Sequence, residues 1–277
     1  MNSTYSNSTP PLERVALKDI EEFCKKRYNQ AESVIHRYSH VLRVAQGAVW
    51  FSQYFPVAPS EEQIVYLAGL FHDIVRPITE VHCHAESSAH EASEILANNF
   101  DISQEILSEI VLIIKNHRKN DLWASKGKPW HQCVYLADKI WEHMGAYADF
   151  RASIWVGELS KNDYKDIEDP VQAILTYYTQ ASQKFLTGSF PKVFDSLVKY
   201  QLEFNTQFQR GLIQKEPWAQ TLATSFFNFG KRHQNLDEKI KNFSPKDGQQ
   251  QLWHKETLSY LSGNLRNLAQ KLVTPTI

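Results

Sequence analysis

The sequence predicts an all-α fold. Three observations carry this. Apolar residues recur at steps of three and four along most of the chain, the spacing that puts them on one face of a helix. No segment sustains the period-two alternation of a strand. Glycine is sparse, 10 in 277 residues, too few for a chain built on many tight β-turns.

The elements follow in order. Residues 1–15 form a polar, proline-containing tail, read as disordered. Leu17, Ile20 and Phe23 mark a first amphipathic helix. Val34, Val41, Ala45 and Ala48 mark a second, and Ile64, Leu67 and Phe71 a third. Ala89, Ala92 and Leu96 share a face, as do Ile106, Ile110 and Ile113. Val134, Ala137 and Trp141 define another helix. Asp169-Pro170 reads as an N-cap with proline in the first helical position. It opens the stripe Ile174, Tyr178, Ala181, Phe185, and Leu197, Tyr200, Phe204 and Phe208 follow. Loops are expected at 55–60, 118–131, 187–191 and 244–248. Leu258, Leu261, Leu265, Leu268 and Leu272 form a seam of heptad spacing. It suits either a terminal helix docked on its own domain or a homodimer contact.

Composition narrows the function. Thirty basic residues face 31 acidic ones, for a net charge of -1. That is no electrostatic footprint for nucleic acid or an anionic membrane. Three cysteines, Cys24, Cys83 and Cys133, lack CxxC spacing, so neither a disulfide framework nor a thiolate zinc knot is expected. The first eleven residues have no apolar core of a signal peptide, and no stretch approaches the ~18 apolar residues of a membrane span. A cytoplasmic protein is expected.

The chemistry begins at LAGLFHDIVRP, 67–77. An apolar run ends on His72 and Asp73, side by side. Either group buried alone costs about 2–7 kcal/mol or more. His40 borders the apolar face of the second helix. His117 extends the stripe Ile106, Ile110, Ile113, and Asp138 follows Ala137. A divalent cation would satisfy such a mixed set of imidazoles and carboxylates together, and would hold the aspartates ionised and the histidines neutral. Adjacent helix positions diverge by ~100°. His72 and Asp73 can therefore converge only near a helix end, which Arg76-Pro77 would supply.

The order His40, then His72-Asp73, then a distant Asp138 resembles the HD-domain superfamily of metal-dependent phosphohydrolases. LADKIWEHMGAYADFRASIWVGEL, 136–159, looks like the DAD-containing segment of the YedJ-like subgroup. HAESSAHEASEIL, 84–96, is similar to its Ser/Ala-rich helix, and 181–208 looks more loosely like its closing helices. The resemblance covers roughly 30–210. It implies an HD-domain helical bundle over 16–212, with 213–277 as a C-terminal helical extension. It also implies metal ligands at His40, His72, Asp73 and Asp138.

The chain departs from the pattern in three places. Val75 stands where a glycine is usual, Leu136 replaces the first acid of the triplet, and Trp130 and His131 fill a region that often carries an acid.

The resemblance places His84 and His117 where proteins with two metals put extra ligands. A second ion, phosphate contact and a plain structural role all remain open for them. His90, flanked by Glu86 and Glu94, reads as solvent-facing. His36 has HxxxH spacing with His40 but is expected to be exposed beside Arg37 and Tyr38.

The implied activity is hydrolysis of a phosphoester in a nucleotide or similar small phosphorylated metabolite. A mixed N/O site suits Mn, Fe, Zn, Co or Mg, as one ion or two. Asp73, with Lys139 and Arg76 as charge stabilisers, forms the catalytic set. Arg43, Arg118 and, by resemblance, Arg151 join His84 and His117 in substrate binding. Trp123 and Trp130, in the loop 118–132, could stack a base. Two other functions fit the same residues: a degenerate HD domain used as a scaffold, and an HD-type di-iron oxygenase.

Overall fold

The computed structural model describes residues 14–78, 82–118, 128–160, 168–187, 190–230, 235–263 and 265–273. Residues 1–13 of the expected N-terminal tail, Trp123 and most of the loop 118–132 lie outside them, as do the side chains of Ala181 and Phe185, whereas Arg14 and Val15, expected in the tail, already belong to the first helix. Among the described residues there are thirteen α-helices and no strand, so the all-α expectation holds.

The helices are α1 (Arg14–Tyr28), α2 (Tyr38–Ser52), α3 (Pro59–Phe71), α4 (His84–Asn99), α5 (Gln104–Asn116), α6 (Cys133–Lys139) and α7 (Tyr147–Leu159). They continue as α8 (Pro170–Thr187), α9 (Asp195–Ile213), α10 (Pro217–Gly230), α11 (Leu236–Lys241), α12 (Gly248–Leu261) and α13 (Leu265–Leu272). Their starts follow local chemistry. Ser103, Asn235 and Asp247 cap α5, α11 and α12 by accepting a backbone N–H in the first turn, a contact worth about 0.5–2 kcal/mol. Asp169 caps α8, its Oδ1 accepting from Val171 N at 2.9 Å, with Pro170 first in the helix as expected. Pro59 opens α3, where the Glu61 carboxylate reaches back to the Ala58 N–H.

The chain divides into two compact units. The first comprises the described residues of Met1–Gln30, Val41–Val75 and Cys83–Ala137; the second comprises those of Ala31–His40, Arg76–His82 and Asp138–Ile277. The division falls inside α2 and α6, and the boundary expected at 213 lies within the second unit.

In the first unit α4 and α3 both pack on α5. The core is the set of stripes read from the sequence. It includes Val41, Ala45, Leu67, Phe71, Ala89, Ala92, Leu96, Ile110, Ile113 and Val134, all buried.

In the second unit the dominant contact is α7 against α10. Gly157 makes it possible. A Cβ there would lie 2.1 Å from the Phe227 carbonyl oxygen, and one on Gly230 would lie 2.3 Å from the Ile154 carbonyl oxygen. Phe150 and Phe226 meet edge-to-face at 4.4 Å alongside.

Four expectations need correction. Val34 does not begin α2: Val34–His36 is a separate 3-10 turn, and Arg37 is extended. Trp141 does not continue α6 but opens the 3-10 turn Trp141–His143. α3 ends at Phe71, earlier than Arg76-Pro77 suggested, and His72 to Val75 form a turn. The leucine seam is not continuous. α12 stops at Leu261, and Gly263 follows at φ +77, a backbone region open mainly to glycine. The face that α12 buries carries Gln250, Trp253, Thr257 and Tyr260; Leu258 and Leu261 are half-buried beside it.

Candidate metal centre

In the first unit the end of α3 delivers the doublet. Once the helix stops, its last carbonyls need donors, and the Gly69 carbonyl takes one from His72, whose Nδ1 lies 2.8 Å away. His117 closes α5 in the same way, Nδ1 lying 2.7 Å from the Ile114 carbonyl. Carbonyls only accept, so both imidazoles carry their proton on Nδ1. Their Nε2 atoms hold the lone pair.

Those atoms surround Asp73. His72 Nε2 is 3.5 Å from Asp73 Oδ2, and His117 Nε2 is 3.8 Å from Oδ1. His84, the first residue of α4, brings Nε2 to 3.2 Å from Asp73 Oδ1 and 3.3 Å from His117 Nε2. Ser88 of α4 pins the turn after the doublet, donating to the Val75 carbonyl and accepting from its N–H. All four charged or titratable groups are buried.

This donor set fits a divalent ion. His72, Asp73 and His117 each offer a ligand atom, all within 4.8 Å of one another. Two ligands of one ion, each bonded at ~2.0–2.2 Å, stand at most about twice that distance apart. The separations around Asp73 fall inside that limit.

In the second unit Asp138 is held from several sides. Lys139 Nζ lies 2.6 Å from its Oδ2, and His40 Nε2 lies 3.9 Å from its Oδ1. His143 Nδ1 donates to the Asp138 carbonyl at 3.0 Å, and its Nε2 accepts from Arg151 Nη1 at 3.3 Å. Desolvation, then the Arg151 charge, pushes His143 down to about 3, so it stays neutral. Arg151 was expected to touch substrate. It is buried against His143 and 4.0 Å from Glu142. Burial opposes its charge, but Glu142, Tyr147, Asp138 and Tyr177 together more than offset this, and its pKa is raised.

His36 is not exposed. It is buried, with Nδ1 2.7 Å from Ser33 Oγ, and Ser33 donates in turn to Glu158 Oε2 at 2.8 Å. Its ring meets His40 edge-on at 5.4 Å. The other expected cations vary. The Arg76 guanidinium sits 5.4 Å over the Trp155 ring. Arg43 is half-buried. Arg118 is exposed, with Nη1 3.9 Å from Cys83 Sγ. His90 faces solvent beside Glu94, as expected. His131 turns to Glu109, its Nε2 2.6 Å from Oε2.

Sequence reasoning missed Glu142, buried and 2.9 Å from His40 Nδ1 through Oε2. Its position four residues after Asp138 was the available signal. It missed Glu158 for want of any: nothing in the sequence ties it to Ser33.

No curated protein and no solved structure matches the chain. Residues 37–141 match the HD domain family model, and that span holds His40, the His72-Asp73 doublet, His84, His117 and Asp138.

Proposed function

We propose that this protein is a metal-dependent phosphohydrolase that cleaves a phosphoester of a nucleotide or similar small phosphorylated metabolite. The observation that carries the reading is Asp73 ringed by the imidazoles of His72, His84 and His117. The HD domain match supports it, since HD domains are generally metal-dependent hydrolases. The ligands assigned are His40, His72, Asp73 and Asp138, with His84 and His117 serving a second ion or the phosphate. The finer likeness to the YedJ-like subgroup belongs to the same proposal.

A bound divalent ion lowers the pKa of its water and polarises the phosphoryl group. The chain's residues do the remainder. Backbone carbonyls lock the His72 and His117 rings through Nδ1, so no reorientation is needed when substrate arrives. Phosphoryl transfer asks mainly for positioning and charge stabilisation. Lys139 and Arg76 are assigned to the charge that builds on the phosphoryl oxygens. Trp155 supports the Arg76 guanidinium from beneath, which limits its motion. Arg43 and Arg118 are assigned to the substrate phosphate.

The test is metal content per chain, by elemental mass spectrometry, for wild type beside Asp138→Ala. It is followed by phosphate release from a panel of nucleotides. One or two ions in wild type, fewer in the variant, and release from at least one substrate are expected. A protein that takes up none of Mn²⁺, Fe²⁺ or Zn²⁺ would end the reading in favour of a scaffold. Two irons per chain without phosphate release would turn it to the oxygenase.

A further inference from the structure

We propose that Glu142 is a positioning residue for metal binding and that the C-terminal helix α12 secures it through Tyr260. The proposal rests on the metal reading above. Glu142 lies in the turn Trp141–His143, one residue beyond the span matched by the family. It is fully buried, and an isolated carboxylate there would cost far more than the fold could spare. Its partners include three named groups. His40 Nδ1 lies 2.9 Å from Oε2, Tyr260 donates its hydroxyl to Oε1, and Arg151 Nε stands 4.0 Å from Oε2.

The consequence falls on His40. Glu142 as a carboxylate only accepts, so the imidazole must donate from Nδ1. The proton is thereby fixed on Nδ1 and the lone pair on Nε2, the atom that faces Asp138 Oδ1 at 3.9 Å. A histidine that ligates a metal commonly gives its other N–H to a carboxylate, which sets the ring and raises its basicity. Glu142 supplies that carboxylate here.

Tyr260 is itself fixed. Its ring stacks on Tyr147 at 4.3 Å with 21° between planes. One turn pair earlier on α12, Trp253 Nε1 donates to Asp149 Oδ2 at 2.7 Å. Both contacts tie α12 to α7. A segment outside the family match therefore sets the tautomer of a ligand inside it, and gives the extension a role in the centre.

The experiment uses the full chain as wild type, Glu142→Gln and Tyr260→Phe. The first readout is the ¹⁵N signal of the His40 ring in metal-free protein, assigned by its loss in His40→Gln. The second is Mn²⁺ affinity by competition with a chelator. A proton on Nδ1 in wild type is expected. Mn²⁺ binding should weaken by about 10–100-fold in Glu142→Gln and by less in Tyr260→Phe. Circular dichroism confirms that each variant is folded, and Tyr260→Phe, which loses one hydroxyl, keeps the test open should Glu142→Gln not fold. A proton on Nε2, or wild-type affinity in the folded variants, overturns the proposal. Wild type that binds no Mn²⁺ overturns the metal reading and the proposal with it. The tautomer signal, read without metal, tells the two failures apart.

Discussion

A Cβ on Gly157 would meet the carbonyl oxygen of Phe227 at 2.1 Å. Backbone therefore packs on backbone where α7 crosses α10. Two effects oppose each other in Gly157→Ala. Helix propensity favours alanine by about 1 kcal/mol. The clash with a carbonyl that cannot rotate away forces the helices apart, at about 1–3 kcal/mol or more. Sterics should win, and urea unfolding should show a net loss of stability. A midpoint at or above wild type would mean that α10 does not approach α7 this closely.

Asp73 sits among three imidazoles. Asp73→Ala should lose bound metal and phosphohydrolase activity together while keeping its helical circular dichroism. The wild type should also be stabilised by Mn²⁺, by about 2.7 kcal/mol at a hundredfold excess over Kd, and Asp73→Ala should not be. Retained activity in the variant would remove Asp73 from the site.

Asp149 is buried and accepts from Tyr178 and Trp253 at 2.7 Å each. Burial outweighs these hydrogen bonds and raises its carboxyl from 3.8 to about 7. Between those values the folded protein keeps a proton that the unfolded chain releases. Stability should therefore fall as pH rises through that window, with the cost complete above about 7. Asp149→Asn removes the titration. Urea unfolding at both ends of the window should show a smaller pH dependence for the variant than for wild type. Equal slopes would refute the assignment.

Ser33 Oγ stands between His36 and Glu158, 2.7 Å from the first and donating to the second. Ser33→Ala takes a donor from a buried carboxylate and an acceptor from a buried imidazole. The expected cost is about 1–3 kcal/mol by urea unfolding. Ser262→Ala, on an exposed hydroxyl that bonds only its own turn, should cost under about 0.5 kcal/mol and serves as the control.

The stripes of the first unit were legible because each helix buries one face. Ile106, Ile110 and Ile113 needed no partner to be recognised as core, and Asp169-Pro170 announced its helix start by local chemistry alone. Breaks between helices were harder to read. Leu261 and Leu265 keep heptad spacing across Gly263, so periodicity ran straight through a turn that the backbone makes at positive φ. His36 was misjudged because Arg37 and Tyr38 follow it in sequence, whereas in space its ring packs on His40 and Trp155 and its Nδ1 meets Ser33.

The sequence by itself determined that the protein is helical, which faces are apolar, and which histidines and aspartates stand at the edges of those faces. These are properties of spacing along one chain. Only the tertiary structure decided that His84 and His117 turn their Nε2 atoms to Asp73, that Glu142 takes the second nitrogen of His40, and that Tyr260 reaches Glu142 from 118 residues away. The reason is physical. A buried polar group must find a partner, but its identity depends on which helix ends meet in space, and the pattern of one helix carries no information about the distant helix that will face it.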